Sequence, residues 1–464
     1  MWILRDGKRD GDFGEPSARS PIEVPVTSSS ELPHILRLAA PLIIVNVGNK
    51  LMGVVDTLLA GRLGTVAVGA TGMGADMFFT GSIVAFGILI GLDPLVSQAF
   101  GAGRRRLARR TMWQGVYVAV LLCVPVSAVV LALAHSLESF GVAADLARET
   151  RAYVYGRLPS LLPLLAFVAG RTYLQAAQVT RPIVVAMIAA NVFNFGAAIA
   201  LCYGAGLGVS GLALATTLAT FVELGVIALA LRRLDPGEGE EPLRAVEARL
   251  LRRVFAVGLP LGAQYLAEIG IFVLVGVLMA GISSAAAAAH HVAIGLASLT
   301  FMVPLAVASA TSVRVGRAVG AGDSEAVRRA GFAGIRLGAA FMLACGAAMM
   351  AAPEALARLW TTDPAVLPLA SALVRIAATF QLFDGIQVVA AGALRGAGRT
   401  RLTLAANLVA YWVIALPLAA ALGFRAGLGP TGLWWGLTIG LATAAVVLTA
   451  AFARVSRRPV EALA

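Results

Sequence analysis

The stretch Leu36–Asn46, LRLAAPLIIVN, returns about 220 residues later as Phe255–Tyr265, FAVGLPLGAQY. Two further segments come back in the same order: VSQAFGAG at Val96 as GRAVGAG at Gly316, and LQAAQVTR at Leu174 as LRGAGRTR at Leu394. Self-similarity on this scale marks a duplicated fold. Each copy is built almost wholly of long apolar segments, and the few carboxylates inside them fall where the other copy has none. The chain therefore reads as a pseudo-symmetric, membrane-embedded fold carrying an asymmetric polar site.

Composition agrees: 59% of residues are hydrophobic and 13% charged, with a mean hydropathy of +0.85. A soluble globular chain lies nearer half apolar and a quarter charged. Twelve apolar spans are expected, at 35–60, 67–94, 112–135, 152–177, 182–203, 209–231, 255–281, 286–314, 331–351, 367–393, 402–422 and 430–453. Each is long enough to cross roughly 30 Å of hydrocarbon as a helix. The fold class is thus an all-α polytopic membrane protein of twelve transmembrane helices in two six-helix lobes.

The net charge of +12 is explained by placement, and no nucleic-acid partner is expected. Basic clusters at Arg104–Arg106, Arg109 and Arg110, at Arg232 and Arg233, Arg252 and Arg253, Arg328 and Arg329, then Arg395, Arg399 and Arg401, and Arg454, Arg457 and Arg458 follow even-numbered spans or join the lobes. Loops after odd-numbered spans hold few, chiefly Arg62, Arg148, Arg151, Arg358 and Arg425. The positive-inside bias then puts both termini in the cytoplasm, and the expected location is the plasma (inner) membrane.

An even number of spans per copy makes both copies enter from the same side, the parallel-repeat arrangement. The expected organisation is a disordered cytoplasmic tail at 1–30, an N-terminal lobe at 31–233, a linker at 234–253, a C-terminal lobe at 254–453 and a cytoplasmic tail at 454–464. Within the linker, DPGEGEEP reads as a flexible opening and LRAVEARLLRR as a short amphipathic helix. Ser28 and Glu31 have capping-box spacing ahead of the first span.

Several patterns carry no chemistry. Cys123, Cys202 and Cys345 lie in different spans without paired spacing, so neither disulfide nor zinc is expected. His290 and His291 read mainly as packing or interfacial residues. GLGVSG at Gly206 and GLGPTG at Gly427 match G-x-G-x-x-G but follow no strand, and read as turns. GILIG at Gly87 and GLTIG at Gly436 have the spacing of close helix packing. No H-E-x-x-H, nucleophile elbow or soluble domain points to an enzyme, and no cofactor is implied.

Carboxylates inside spans are the functional signal. An ionised group near the bilayer centre costs about 2.5–3.5 kcal/mol on insertion scales and is kept chiefly for ion, proton or substrate handling. Glu268 and Asp384 lie roughly 12–16 Å deep, close enough to share a mid-membrane site, and Asp56 lies about 22 Å beyond Pro41, in the outer half of the first copy. By repeat register Glu268 corresponds to Asn49, Asp384 to Leu164 and Asp56 to Val275–Gly276, so each acid breaks the symmetry. A purely structural reading pairs them with a buried base, Lys50 or Arg171. Asp76, Asp93 and Glu223 lie nearer span ends. Asn46, Asn49, Gln264, Tyr265, Gln381, Gln387, Asn191, Asn194, Asn407 and Tyr411 are candidate ion or pathway ligands, or helix-to-helix hydrogen bonders.

GVVDTLLAGRLG at Gly53, the GAG loops at Gly101 and Gly320, LAEIGIF at Leu266, LWTTDPAV at Leu359 and FDGIQVVAAGALRGAGRTR at Phe383 resemble, in order, the motifs of the multidrug and toxic compound extrusion transporters, particularly the NorM-like branch. The resemblance covers about Glu31 to Arg454. It implies a V-shaped twelve-helix exporter taking amphipathic, often cationic compounds out of the cytoplasm against inward Na⁺ or H⁺, acting as a monomer among membrane lipids. It also implies that Asp56 matches the first-helix acid, and that Glu268 and Asp384 match the cation-site acids and are the metal ligands if the ion is Na⁺. Lys50 departs from that pattern, and a base one to two turns from Asp56 is a candidate partner for it. The alternative is a flippase for a lipid-linked saccharide, for which intramembrane bases (Lys50, Arg171 and Arg375) are few.

Overall fold

The computed structural model describes residues 31–237, 242–459 and 461–463. The N-terminal tail with Ser28, and the acidic centre of the linker, lie outside the described residues. Among the described residues, twelve helices long and apolar enough to cross a membrane follow one another: α1 Leu32–Gly61, α2 Thr65–Gly101, α3 Arg105–His135, α4 Ala144–Ala176, α5 Arg181–Gly204, α6 Gly208–Arg232, α7 Ala248–Ile282, α8 Ser284–Gly320, α9 Ser324–Ala351, α10 Leu367–Gly396, α11 Thr400–Arg425 and α12 Gly429–Val455. No strand occurs among the described residues. In hydrocarbon every backbone amide must be satisfied within its own segment, which leaves helices as the form such apolar runs take.

The helices outrun the apolar spans at the arginine-rich end. Helix α2 continues past a joint at Gly91 to Gly101, and α7 begins at Ala248. The amphipathic segment expected at 243–253 is therefore not a separate helix, because Arg249, Arg252 and Arg253 ride on the opening turns of α7. Arginines suit this position, since their stems lie along apolar surface while the guanidinium reaches water. Leu121, Val124 and Val192 are 62%, 76% and 70% exposed, an outward apolar surface that suits lipid and would be costly in water.

Both apparent dinucleotide motifs are turns. Gly206 and Gly208 enter α6, and Gly427 and Gly429 enter α12, all with φ between 55° and 71°, where a side chain is strained. Helix α11 is widened to π geometry at Val409–Ala415 and again at Ala421–Arg425.

The halves meet through glycine. A Cβ on Gly87 or Gly91 would run into the backbone of Gly262 or Gly258, so α2 and α7 touch backbone to backbone. Gly101 is likewise pressed on the Arg317 carbonyl and Gly320 on the Gln98 carbonyl. Close approach of this kind gains dispersion contacts that larger side chains would forbid. Gln98 Nε2 donates to the Gly396 carbonyl at 3.0 Å, Arg317 to the Ala176 carbonyl at 3.3 Å, and Arg314 to Glu31 at 3.0 Å through both Nε and Nη2. The side chains of that last pair are 9% and 2% exposed. Farther up, Asn46 Nδ2 donates to the Met302 carbonyl at 3.1 Å. Beyond Asn46, among the described residues, no hydrogen bond or ion pair in the membrane ties the halves.

Candidate cation site and transport cleft

Glu268 lies 20 residues into the 35-residue α7, and Asp384 lies 12 residues before the end of the 30-residue α10. The fold brings them together: the charge of Glu268 acts directly on Asp384, and both act on the Tyr411 phenol. Gln387, one turn along α10 from Asp384, faces Glu268 and donates from Nε2 to Tyr411 Oη at 3.1 Å. Tyr411 sits, buried, in the first π-widened stretch of α11, a geometry found frequently at functional sites. Asp384, Gln387 and Tyr411 are all buried.

No ion pair among the described residues includes Glu268, Asp384 or Asp56. The reading that pairs these acids with a buried base is therefore not realised. Arg171 lies among the charges of Asp93, Glu223 and Arg395 instead. Two neighbouring carboxylates in apolar surroundings without a base need a proton or a metal cation to be tolerated. The oxygens suit a small hard cation: besides the carboxylates, Gln387 Oε1 and Gln264 Oε1 are buried without a hydrogen-bond partner, and so are both side-chain amide atoms of Asn407, one turn before Tyr411. Among the described residues no group of three or more His, Cys, Asp and Glu gathers, so a site here rests on two carboxylates plus neutral oxygens. That donor set fits Na⁺ better than a transition metal.

Asp56 belongs to a separate cluster in the first half, near the far end of α1. Its Oδ2 accepts from the Thr216 hydroxyl at 2.8 Å, and Thr216 Oγ1 in turn accepts from Asn194 Nδ2 at 3.1 Å. Asp56 Oδ1 is buried with no hydrogen-bond partner. Lys50 does not pair with Asp56; the base whose charge reaches Asp56 is Arg157, which donates to Ser160 at 3.0 Å and stacks over Phe78 at 4.9 Å.

The remaining candidates divide. Tyr265 accepts from Arg395 Nη1 at 3.1 Å, an inter-helix contact one turn from Glu268. Gln381 bonds to Thr300 and to Met349 Sδ. Asn191 is spent on its own helix, donating to the Met187 carbonyl at 2.9 Å, and Asn49 is exposed on α1; the structure brings neither to a carboxylate. His290 is buried against the Trp434 ring, 5.8 Å between centroids. Asp93, read as a span-end acid, is buried on the far side of the Gly91 joint, 3.5 Å from Arg395.

The sequence model of the MatE family matches residues 41–200 and, a second time, residues 260–421. The chain belongs to the MatE family. The double match falls one copy to each half, as the repeated segments require. Curated relatives agree: a protein from Bradyrhizobium diazoefficiens named probable multidrug resistance protein NorM is 35% identical over 442 residues, 93% of this chain and 95% of its own. One from Burkholderia vietnamiensis, named multidrug resistance protein NorM, is 36% identical over 427 residues, 89% and 91% of the two chains. Among solved structures, a transporter of the MOP superfamily from Pyrococcus furiosus superposes with a TM-score of 0.86 at 20% identity, covering 93% of this chain and 97% of that one. The eukaryotic MATE transporter AtDTX14 does so with 0.83 at 23% identity, covering 92% and 98%.

In this MatE protein, a multi-pass membrane protein, sequence reasoning missed Thr216 and the pairing role of Arg395. Thr216 looks like neutral filler within a run that also holds Thr217 and Thr220. The available signal was that a threonine on α6 can satisfy an acid on α1 if the two helices touch, and register alone does not say that they do.

Proposed function

We propose that this protein is a cation-coupled antiporter of the inner membrane, with its arginine-rich end and both termini in the cytoplasm, which exports amphipathic, often cationic compounds. The observation that carries this reading is the base-free pair of half-buried Glu268 and buried Asp384, midway along α7 and α10 with the buried Gln387 and Tyr411. On this reading the transport cleft lies between the halves beyond Asn46, at the end away from the arginines, where no hydrogen bond among the described residues ties them. The names of the curated relatives point the same way.

The coupling ion, Na⁺ or H⁺, is a substrate of the cycle. In the outward-open state it enters from the cleft and neutralises the carboxylates, and the same negative potential that draws it in draws an organic cation. One negative site serves two positive ligands, so loading the ion favours release of the drug. A two-state change then carries the loaded site to the other side. Gln387, bonded to Tyr411 and facing Glu268, holds the acid pair at fixed spacing, and the glycine contacts of α2 with α7 let the halves rock without a wedge between them.

Reconstitution in liposomes with a fluorescent organic cation tests this. Dye movement under an imposed Na⁺ or pH gradient, lost in Glu268→Gln, is expected, and the effective gradient names the ion. Movement that persists at the wild-type rate in Glu268→Gln overturns the assignment of the site. No movement under any gradient overturns the antiporter.

A further inference from the structure

Lys50 is one of two lysines in the chain, and it lies inside a span. It stands 18 residues beyond Leu32, about 27 Å along α1. Asn46, one turn before it, reaches across to Met302 of α8, and residues four apart share a helix face. Lys50 is therefore on the flank of α1 turned to the opposite half, just past the last hydrogen bond that joins them. The side chain is exposed, and no ion pair among the described residues includes it. It lies six residues before Asp56, about 240° around the helix, which directs it away from that acid.

Its neighbours come from both halves. Asp76 on α2 and His291 on α8 are exposed as well, α1 packs against both of those helices, and Lys50 and His291 are the two groups whose charges reach the Asp76 carboxylate. A cation, an anion and an imidazole thus share one stretch of cleft wall at membrane depth. An ammonium placed there is costly unless it faces water, and one that is kept marks a site that handles substrate or ions. A cleft meant for organic cations alone has no use for it, because it repels them.

We propose that Lys50 is an anion-recognising subsite of the transport cleft, selecting amphipathic zwitterions whose carboxylate pairs with its ammonium while their amine lies against Asp76. This deepens the antiporter reading and rests on it. The two charges on the wall match the two on the ligand, and a mismatch with either leaves one of them unpaired, the basis of polar discrimination.

A matched pair of xanthene dyes tests it: a methyl ester that is a monocation, and its free carboxylate that is a zwitterion. Both are followed in proteoliposomes of the full chain under the driving gradient. The wild type is expected to move the free acid, and the ratio of acid to ester export should fall at least about tenfold in Lys50→Gln and in Lys50→Met, the loss expected when a charge-assisted hydrogen bond is removed. Lys50→Arg should keep the ratio. Export of the ester but not the acid by the wild type, or an unchanged ratio in Lys50→Gln or Lys50→Met, overturns the subsite and leaves the antiporter standing. Movement of neither dye by the wild type overturns both.

Discussion

Replacing Arg395 with Met strips one partner from a buried ion pair that ties the two halves together. Arg395 Nε lies 3.5 Å from Asp93 Oδ2, with side chains 7% and 6% exposed. Nη1 also donates to Tyr265 at 3.1 Å and Nε to Ser312 Oγ at 3.3 Å, while Asp93 Oδ1 accepts from Thr172 at 3.2 Å. Asp93 and Thr172 belong to the first half, and the other three belong to the second. Stranding one member of a buried pair costs about 3–5 kcal/mol. Here the contact is long, and Asp93 keeps both Thr172 and the charge of Arg171, so roughly 2–3 kcal/mol is the fitting range. That loss falls on the state in which this end is shut, since opening it lets Asp93 reach water. At 1.4 kcal/mol per decade the equilibrium moves roughly 30- to 150-fold toward the other orientation. Spin labels on cysteines replacing Arg104 and Arg328, read by pulsed electron paramagnetic resonance, should gain a population of longer distances. The double variant Asp93→Asn/Arg395→Met should gain less than Arg395→Met alone, because no charge is then stranded. An unshifted distance distribution in Arg395→Met, or a double variant displaced as far as the single one, refutes the reasoning.

Glu268→Gln and Asp384→Asn are each expected to abolish ion-driven export while the purified protein stays monodisperse; normal transport by either would remove that residue from the site. Thr216→Val keeps the shape and removes the hydroxyl that donates to Asp56, leaving a buried carboxylate oxygen unpaired, and should cost about 1–3 kcal/mol, seen as a lower Tm in detergent. Glu31→Gln halves the charge balance of the buried pair with Arg314 and should destabilise the shut end by up to about 3–5 kcal/mol; full protection of α1 from hydrogen exchange in the variant would contradict this. Gly262→Val forces a side chain against the α2 backbone at Val84 and should lower Tm through overpacking of about 1–3 kcal/mol, whereas an unchanged Tm would mean that the halves are not held as closely as described.

The repeat was legible because the residues that recur are those at which backbones touch. Gly101 and Gly320 lie in the two GAG segments, and each presses on the other half at the same level, so no side chain can replace them without parting the helices. The acids were legible for a different reason. A carboxylate in a span has a cost that filler does not, and that cost singles out Glu268, Asp384 and Asp56 without any fold. Their partners carry no such mark. Thr216, Asn194 and Gln387 are tolerated anywhere in a helix bundle, and only the meeting of α6 with α5 and α1, or of α10 with α11, gives them a role. Asn49 and Asn191 show the converse: depth alone makes each a candidate ion or pathway ligand or a helix-to-helix hydrogen bonder, and in the structure one is exposed and the other bonds to its own helix.

Arg395 marks the point at which charge counting stops being informative. From the sequence it is one more arginine at a cytoplasmic span end, equivalent to Arg399 and Arg401, and the positive-inside rule uses it only as a number. In the structure Arg399 and Arg401 are exposed while Arg395 is 5% exposed, and the cause lies in its flanking glycines. A Cβ on Gly392 would collide with the Ala308 carbonyl and one on Gly396 with the Ser312 carbonyl, so α10 lies directly on α8 over that turn. An arginine held between those contacts has water on neither side, and its side chain must run along the seam until it finds an acceptor. Ser312, Tyr265 and Asp93 are what it finds. The same glycines that make the helices pack thus turn an orientation signal into a contact between the halves, one turn of α7 away from Glu268.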